Sequence, residues 1–378
     1  MNQRMHPHHT GMTAPPPHLY GRWRHDPVVT AATLLAKAWI PLWRPFSPLR
    51  PTLGNDGITK VEIIRRERVA EDENVIALTF AAPDGGVLPR WHAGAHLDVL
   101  LPSGRMRTYS LCGDPADQHS YRIAVRRIPQ GLGGSIEVHD ALNIGDTLSI
   151  KGPRNAFPIA LPGYGSSARS LRFIAGGIGI TPILPMLAAA ERFGLDWSMI
   201  YTGRSRDSIP FLDEVAQYGS KVTIRTDDTD GVATMADLLG ADPDTGRAPT
   251  NLAVYCCGPL PMLDALRRHL CDRPDIELHY ERFSPPPVEN GRAFTVTIAS
   301  TGRQVEVAAD ETLLSALQRE IPSVPYSCRQ GFCGTCKIST LDGEIDHRDN
   351  ILTEPERAGG TILTCVSRAA GNHLTIDL

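Results

Sequence analysis

Three cysteines crowd into one short segment near the C-terminus, Cys328, Cys333 and Cys336, and Cys365 follows at a distance. The order Cys-x4-Cys-x2-Cys…Cys is the spacing of plant-type [2Fe-2S] centres, in which four thiolates close two irons. Three ligands wrap the cluster from one tight loop, and the fourth arrives from a remote segment. Gly331 and Gly334 suit a backbone that must bend closely around inorganic sulfide and aim N–H groups at it. The other reading is a zinc site or a set of reduced buried thiols. Zinc ribbons use paired short spacings, which this chain lacks. The remaining cysteines of the eight, Cys112, Cys256, Cys257 and Cys271, are scattered, unlike those of a secreted disulfide scaffold.

A chain of 378 residues is long enough for two to four domains at roughly 100–200 residues each. Residues 1–57 are rich in Pro, His and basic side chains and show at most one short helix near Val28–Ile40; they read as a poorly ordered extension. The apolar stretch there is shorter than the roughly 20 residues a spanning helix needs, and no signal-peptide order is present. A cytoplasmic protein is the expectation. A net charge of −4 with 21% charged residues excludes a polybasic nucleic-acid binder.

From residue 58 to 161 the pattern is short β runs broken by turns (Val75–Phe80, His96–Leu101, Tyr121–Arg127, Thr147–Ile150), which predicts a small antiparallel β-barrel. A Gly/Ser linker at Pro162–Ser170 leads into residues 170–283. There the strand candidates Leu171–Ala175, Trp197–Thr202, Lys221–Thr226, Leu252–Cys256 and Ile276–Tyr280 alternate with helical stretches, the signature of a doubly wound parallel α/β sheet. Residues 284–291, opening Ser284-Pro285-Pro286-Pro287, form a stiff linker. Residues 292–378 supply strands at Phe294–Ser300 and Arg303–Ala308, a helix around Thr312–Glu320, and the cysteine loop.

Two further motifs carry chemistry. Gly176-Gly177-Ile178-Gly179-Ile180-Thr181-Pro182 follows an apolar strand, with Thr181 placed to cap a helix and Pro182 at its first position. Such a turn suits a pyrophosphate at a helix N-terminus, although an ordinary Gly-rich turn looks similar. Cys257-Gly258-Pro259 follows another strand, with Met262 opening the next helix; two such turns mark the usual ligand crevice of a parallel sheet. In the barrel, Arg107-Thr108-Tyr109-Ser110 is weak evidence alone, since an Arg/Tyr pair on a strand is usually a solvated face. Its mechanics suit a flavin: tyrosine to pack on the ring, arginine to pair a phosphate, hydroxyl to bond the ring edge. Gly133-Gly134-Ser135 offers backbone N–H groups to the phosphate.

Taken together with Glu281-Arg282-Phe283 and Cys328-Arg329-Gln330-Gly331-Phe332-Cys333-Gly334-Thr335-Cys336, these motifs resemble, in order, the phthalate dioxygenase reductase and vanillate demethylase reductase group. These are ferredoxin–NADP reductase-like flavoproteins with a C-terminal ferredoxin of α+β β-grasp fold. The resemblance covers residues 58–378 and leaves residues 1–57 outside. It implies that electrons pass from NADH, as hydride, to a flavin, then singly to the [2Fe-2S] cluster, and on to a partner oxygenase, usually one with a Rieske centre. Arg107, Tyr109 and Ser110 would hold the flavin, with Gly134 and Ser135 at its phosphate; Gly177, Gly179 and Thr181 would contact the dinucleotide. Cys257 would lie near the nicotinamide, and Phe283 would pack against the flavin ring where the nicotinamide enters. The other reading of Phe283 is a core aromatic ending a strand. Arg329 would bond backbone or face a partner, unless it is simply solvated. Cys328, Cys333, Cys336 and Cys365 would be the metal ligands.

FMN is the expected flavin, with FAD the alternative. NADH is expected over NADPH because Asp207 sits beside Arg204 and Arg206, which would otherwise suit a 2′-phosphate. A monomer is expected. The competing functions are a partner-independent NAD(P)H flavoenzyme of small acceptors, an electron donor to a P450, and a membrane-associated carrier using Trp23, Trp39 and Trp43.

Overall fold

The computed structural model describes residues 58–131, 133–162, 165–240, 249–284, 287–321, 324–326, 329–331, 334–349 and 351–378. The expected extension with its helix and tryptophans, Pro285 and Pro286 of the linker, Phe332, Cys328 and Cys333 lie outside these residues.

The first sheet contains β1 (Ile58–Arg68), β2 (Val75–Ala81), β3 (Ala95–Leu100), β4 (Met106–Ser110), β5 (Ser120–Arg126) and β6 (Thr147–Asn155), in the order β4-β3-β6-β1-β2-β5. Every pairing is antiparallel. Leu111 bridges to Ile123 and the Cys112 amide donates to the Arg122 carbonyl, which brings the two edge strands together and closes the barrel. Alternate residues point inward, so Val61, Ile63, Leu78, Phe80, Leu97 and Val99 share one core. The helix Gly134–Ala141 was not foreseen; the Gly133-Gly134-Ser135 turn is its start, with Gly133 as the N-cap.

After a short parallel pair, β7 (Leu161–Pro162) and β8 (Gly165–Ser166), comes the second sheet. It is made of β9 (Ser170–Gly176), β10 (Trp197–Gly203), β11 (Val222–Thr226), β12 (Leu252–Cys257) and β13 (Ile276–Glu281). All are parallel in the order β11-β10-β9-β12-β13. Strand β12 is buried along its whole length and β9 from Leu171 onward, as strands covered on both faces must be. The strand order reverses between them, which makes their C-terminal ends the crevice where such sheets take ligands.

The third sheet joins β14 (Phe294–Ile298), β15 (Gln304–Val307), β16 (Lys337–Asp342), β18 (Thr361–Leu363) and β20 (His373–Asp377) in the order β15-β14-β20-β16-β18. Only β14 with β20 is parallel. Two-residue strands β17 (Ile345–Asp346) and β19 (Arg368–Ala369) pair beside it. The helix Leu313–Glu320 buries Leu313, Leu314, Ala316 and Leu317 in this sheet's core; Thr312 caps it by accepting from the Ser315 amide. The architecture is thus multidomain, as expected: flavin-type antiparallel barrel, doubly wound parallel sheet, and mixed β-grasp sheet. Among the described residues no helix is long and apolar enough to cross a membrane.

Barrel and parallel sheet are latched to each other. Arg122 on β5 donates twice to the Glu214 carboxylate, at 3.1 and 2.7 Å, and lies 4.6 Å over the Phe211 ring. The Phe211 amide donates to the Val69 carbonyl and the Asp72 amide to the Asp207 carbonyl. Charge-assisted bidentate pairs are the strong members of their class, but Glu214 is half-exposed and screening weakens this one. A double-mutant cycle of Arg122→Ala and Glu214→Ala, read by denaturant unfolding of the full chain, is expected to give a coupling of about 1 kcal/mol. Zero coupling would show the latch to be decorative.

Candidate functional site

One cleft of about 360 Å³ gathers residues from the barrel, the parallel-sheet domain and the C-terminal domain. Its walls include Arg107, Tyr109 and Ser110 of β4, Gly134 and Ser135, Thr181, the strand end Glu281-Arg282-Phe283, and Tyr326, Arg329 and Gln330 beside the cysteines. Seven of the residues expected from sequence to meet flavin or nucleotide therefore line one cleft.

The helix after Gly133 explains how β4 presents its arginine. A Cβ on Gly134 would sit 2.4 Å from Arg107 Nε, so a larger residue would push the arginine from where it lies across the start of this helix. Glu137 fixes the helix to the turn before β4 by accepting from the Ser103 amide at 2.7 Å and pairing with Arg105 at 3.3 Å. The amides of the first helical turn lack intrahelical acceptors and stand beside Arg107, a donor set that fits a phosphate. Ser135 Oγ is engaged, accepting from the Ile128 amide at 3.0 Å. Burial pushes the Tyr109 phenol well above its ordinary pKa, so it stays neutral and packs as an amphipathic ring.

At the crevice of the parallel sheet the two glycine turns press together. A Cβ on Gly179 would lie 2.1 Å from the Cys257 carbonyl oxygen, and one on Gly176 would lie 2.4 Å from Pro259 Cδ. Tyr201 Oη lies 3.0 Å from the Gly177 carbonyl and 2.8 Å from the Pro210 carbonyl, and its one proton can serve either, tying the turn from below. Gly177 and Gly179 flank Ile178, which lines the cleft, but do not line it themselves. Cys257 is 1% exposed and is not a lining residue; its thiol is pushed far up by burial, with the Glu281 and Cys256 charges adding to the effect. Two helix starts differ from expectation. Thr181 is not a cap: a 3-10 turn at Gly177–Gly179 runs straight into the helix Ile180–Arg192, and Thr181 Oγ1 donates back to the Ile178 carbonyl at 3.1 Å. The helix after Cys257-Gly258-Pro259 opens at Leu260, not Met262.

Phe283 is half exposed at the cleft, which excludes the core-aromatic reading. Two residues here have no role in the sequence reading: Arg126 is absent from it, and Glu281 enters only as part of Glu281-Arg282-Phe283. Arg126 ends β5 beside Gly177 and donates to the Ser208 carbonyl at 2.5 Å. Glu281 pairs in register with Cys257 and accepts from Ser110 Oγ at 3.1 Å. Burial raises its pKa to about 8, and the Ser110 bond only partly opposes this. Arg107, Arg126 and Arg329 thus face a cleft whose buried carboxyl is biased to neutrality, in a chain of net charge −4. The local charge suits an anionic, phosphate-bearing ligand.

Cys336 and Cys365 are both buried in the third sheet's core. They are held on adjacent segments, because the Cys336 carbonyl accepts from the amide and the hydroxyl of Thr364, each at 3.3 Å. Gly331 and Gly334 adopt φ of 78° and 76°, and a Cβ on Gly331 would strike Val366 at 2.7 Å. Two buried sulfurs beside a left-handed glycine loop are a donor set that fits an iron–sulfur cluster.

Residues 60–159 match the oxidoreductase FAD-binding domain family, and residues 296–370 match the 2Fe-2S iron-sulfur cluster binding domain family. Fold and site together define an NAD(P)H-dependent iron–sulfur flavoprotein oxidoreductase. Phenoxybenzoate dioxygenase subunit beta of Ectopseudomonas oleovorans is 39% identical over 310 residues, 81% of this chain and 93% of that one. A phthalate dioxygenase reductase, solved as a modular structure for electron transfer from pyridine nucleotides to [2Fe-2S], is 34% identical. It aligns with a TM-score of 0.63 over 85% of this chain and 98% of its own. An intact type IV self-sufficient cytochrome P450 monooxygenase aligns at 36% identity and a TM-score of 0.65, over 91% of this chain and 44% of its own. The chain belongs to the phthalate dioxygenase reductase family.

The Glu281 carboxyl has a stability signature. Its folded pKa lies above the unfolded value, so its contribution is fully present below about pH 4.5 and is lost as pH rises towards 8. The wild type is expected to lose stability across that window relative to Glu281→Gln, by a few kcal/mol in total at about 1.4 kcal/mol per unit. Urea midpoints of both proteins from pH 5 to 9 check this; parallel curves would show that the carboxyl ionises freely.

Proposed function

We propose that the chain is the reductase component of an oxygenase system, carrying electrons from NADH through FMN and a [2Fe-2S] cluster to the Rieske centre of a partner oxygenase. The observation that carries the reading is the single cleft in which the barrel arginine, the glycine turn of the parallel sheet and the residues beside the cysteines meet. Bound flavin supplies the conversion of a two-electron hydride into single electrons. The chain's own residues position and exclude. Arg107 and the amides at Gly134 and Ser135 hold the phosphate, Tyr109 packs on the ring, and Ser110 bonds its edge. Gly177, Gly179 and Thr181 orient the dinucleotide at the crevice. Cys257 backs the nicotinamide from its buried position, and Phe283 covers the face the nicotinamide needs and must give way to it. Cys328, Cys333, Cys336 and Cys365 hold the cluster. In this division residues 58–161 serve the flavin, 170–283 the nucleotide and 292–378 the cluster, with 284–291 as linker, in a cytoplasmic monomer.

FMN is favoured over FAD by the phosphate-sized donor set at one helix start. NADH is favoured over NADPH by the exposed Asp207 beside Arg204 and Arg206, and by Asp227 and Asp228 after the neighbouring strand β11. The relatives named as components of dioxygenase systems favour an oxygenase partner. A second reading, electron donation to a P450, is supported by the match to the self-sufficient P450. Coupled turnover with purified Rieske and P450 acceptors separates the two.

An anaerobic NADH titration of the full chain tests the relay. Flavin and cluster absorbance are expected to bleach together and to consume about 1.5 equivalents, two electrons for the flavin and one for the cluster. Bleaching of the flavin beside an oxidised, intact cluster would overturn the relay. Cys365→Ser is expected to abolish the cluster absorbance while the protein still takes up flavin supplied in excess.

A further inference from the structure

The residues around the cluster cysteines are tied to backbone on both flanks of the flavin-site side chains. Tyr326 Oη donates to the Met106 carbonyl at 3.2 Å, and the Arg107 guanidinium donates to that same oxygen at 2.8 Å. On the other flank the Gln330 side-chain amide donates to the carbonyl of Arg282, between Glu281 and Phe283. Arg329, at φ 57°, lays its guanidinium 4.1 Å over the Tyr326 ring. All three side chains line the same cleft as Arg107 and Phe283.

We propose that Tyr326, Arg329 and Gln330 are positioning residues through which the cluster loop completes the flavin site, so that flavin binding and docking of the loop stabilise each other. The inference rests on the flavin reading above. The physical basis is that two hydrogen bonds between neutral groups contribute only modestly to docking. A separated state therefore stays within reach, and any ligand that touches both walls of the cleft draws the loop in. Coupling of this kind is reciprocal: loosening the loop must weaken the ligand by the factor by which the ligand tightens the loop. Arg107 and Tyr326 sharing one carbonyl oxygen gives the coupling a local route, since the loop's hydroxyl helps fix the backbone that carries the phosphate-binding arginine.

The test uses full-length protein stripped of flavin and titrated with FMN. Tyr326→Phe combined with Gln330→Ala is expected to weaken FMN binding roughly tenfold, about what two such bonds are worth. Tyr326→Phe alone, which keeps the ring under Arg329, is expected to lose part of that. Arg319→Ala, which breaks the surface pair with Glu311 elsewhere in the cluster domain, is expected to leave the affinity unchanged. In hydrogen exchange, added FMN is expected to protect residues 324–331 of the wild type and to protect the double variant much less. Equal affinities and equal protection would overturn the coupling while leaving the flavin reading intact. A wild-type chain that takes up no FMN would overturn both.

Discussion

Ser110 of the barrel donates to Glu281 of the parallel sheet across 171 positions of sequence, and the geometry of the cleft follows from that buried bond. Glu281 is the last residue of β13, so the bond fixes where the barrel's flavin strand meets the end of the nucleotide sheet. Arg282, the next residue, is held by Asp264 at 2.9 Å, and its carbonyl receives Gln330 from the cluster domain. Phe283 then emerges at the cleft. Three consecutive residues therefore serve three sheets, and a shift of any sheet would be felt by the other two.

The third sheet has its own anchor. Arg368 is 2% exposed and donates to the carbonyls of Glu311, Arg292 and Ala308 while its guanidinium lies over Phe294. A buried cation satisfied by backbone oxygens pins the entry of this domain to the stretch before its helix. Asp349 does the same near the cluster, accepting from the Leu352 amide at 2.8 Å and approached by Arg357 and His347. A loop that must wrap a cluster cannot supply regular ladder bonds, and these side chains take over that role.

Elements whose information is local were legible in the sequence. The period-2 runs and the alternation with helices placed four of the six barrel strands and all five parallel strands, missing the long β1, and the cysteine spacing named the cluster. What escaped depends on tertiary context. Strand β13, Ile276-Glu277-Leu278-His279-Tyr280-Glu281, alternates as if Tyr280 faced the core, yet Tyr280 is 38% exposed and Glu281 only 7%. The strand end dips between sheets and inverts the rule. A Thr-Pro pair usually opens a helix, with Thr181 as cap and Pro182 first; the 3-10 turn beginning at Gly177 moves the start two residues earlier, to Ile180. The helix at Gly134–Ala141 is too short for its periodicity to show and begins with residues that read equally well as a turn.

The electrostatics of the cleft follow from the same burial. An ionised carboxylate in the cleft that Arg107 and Arg126 line would offset part of their attraction for a phosphate and would repel anionic dinucleotides. Removing Glu281 from water makes ionisation costly, so near neutral pH the carboxyl is largely protonated and the arginines act unopposed. The residue whose bond helps fix barrel against parallel sheet thereby also sets the charge the cleft offers.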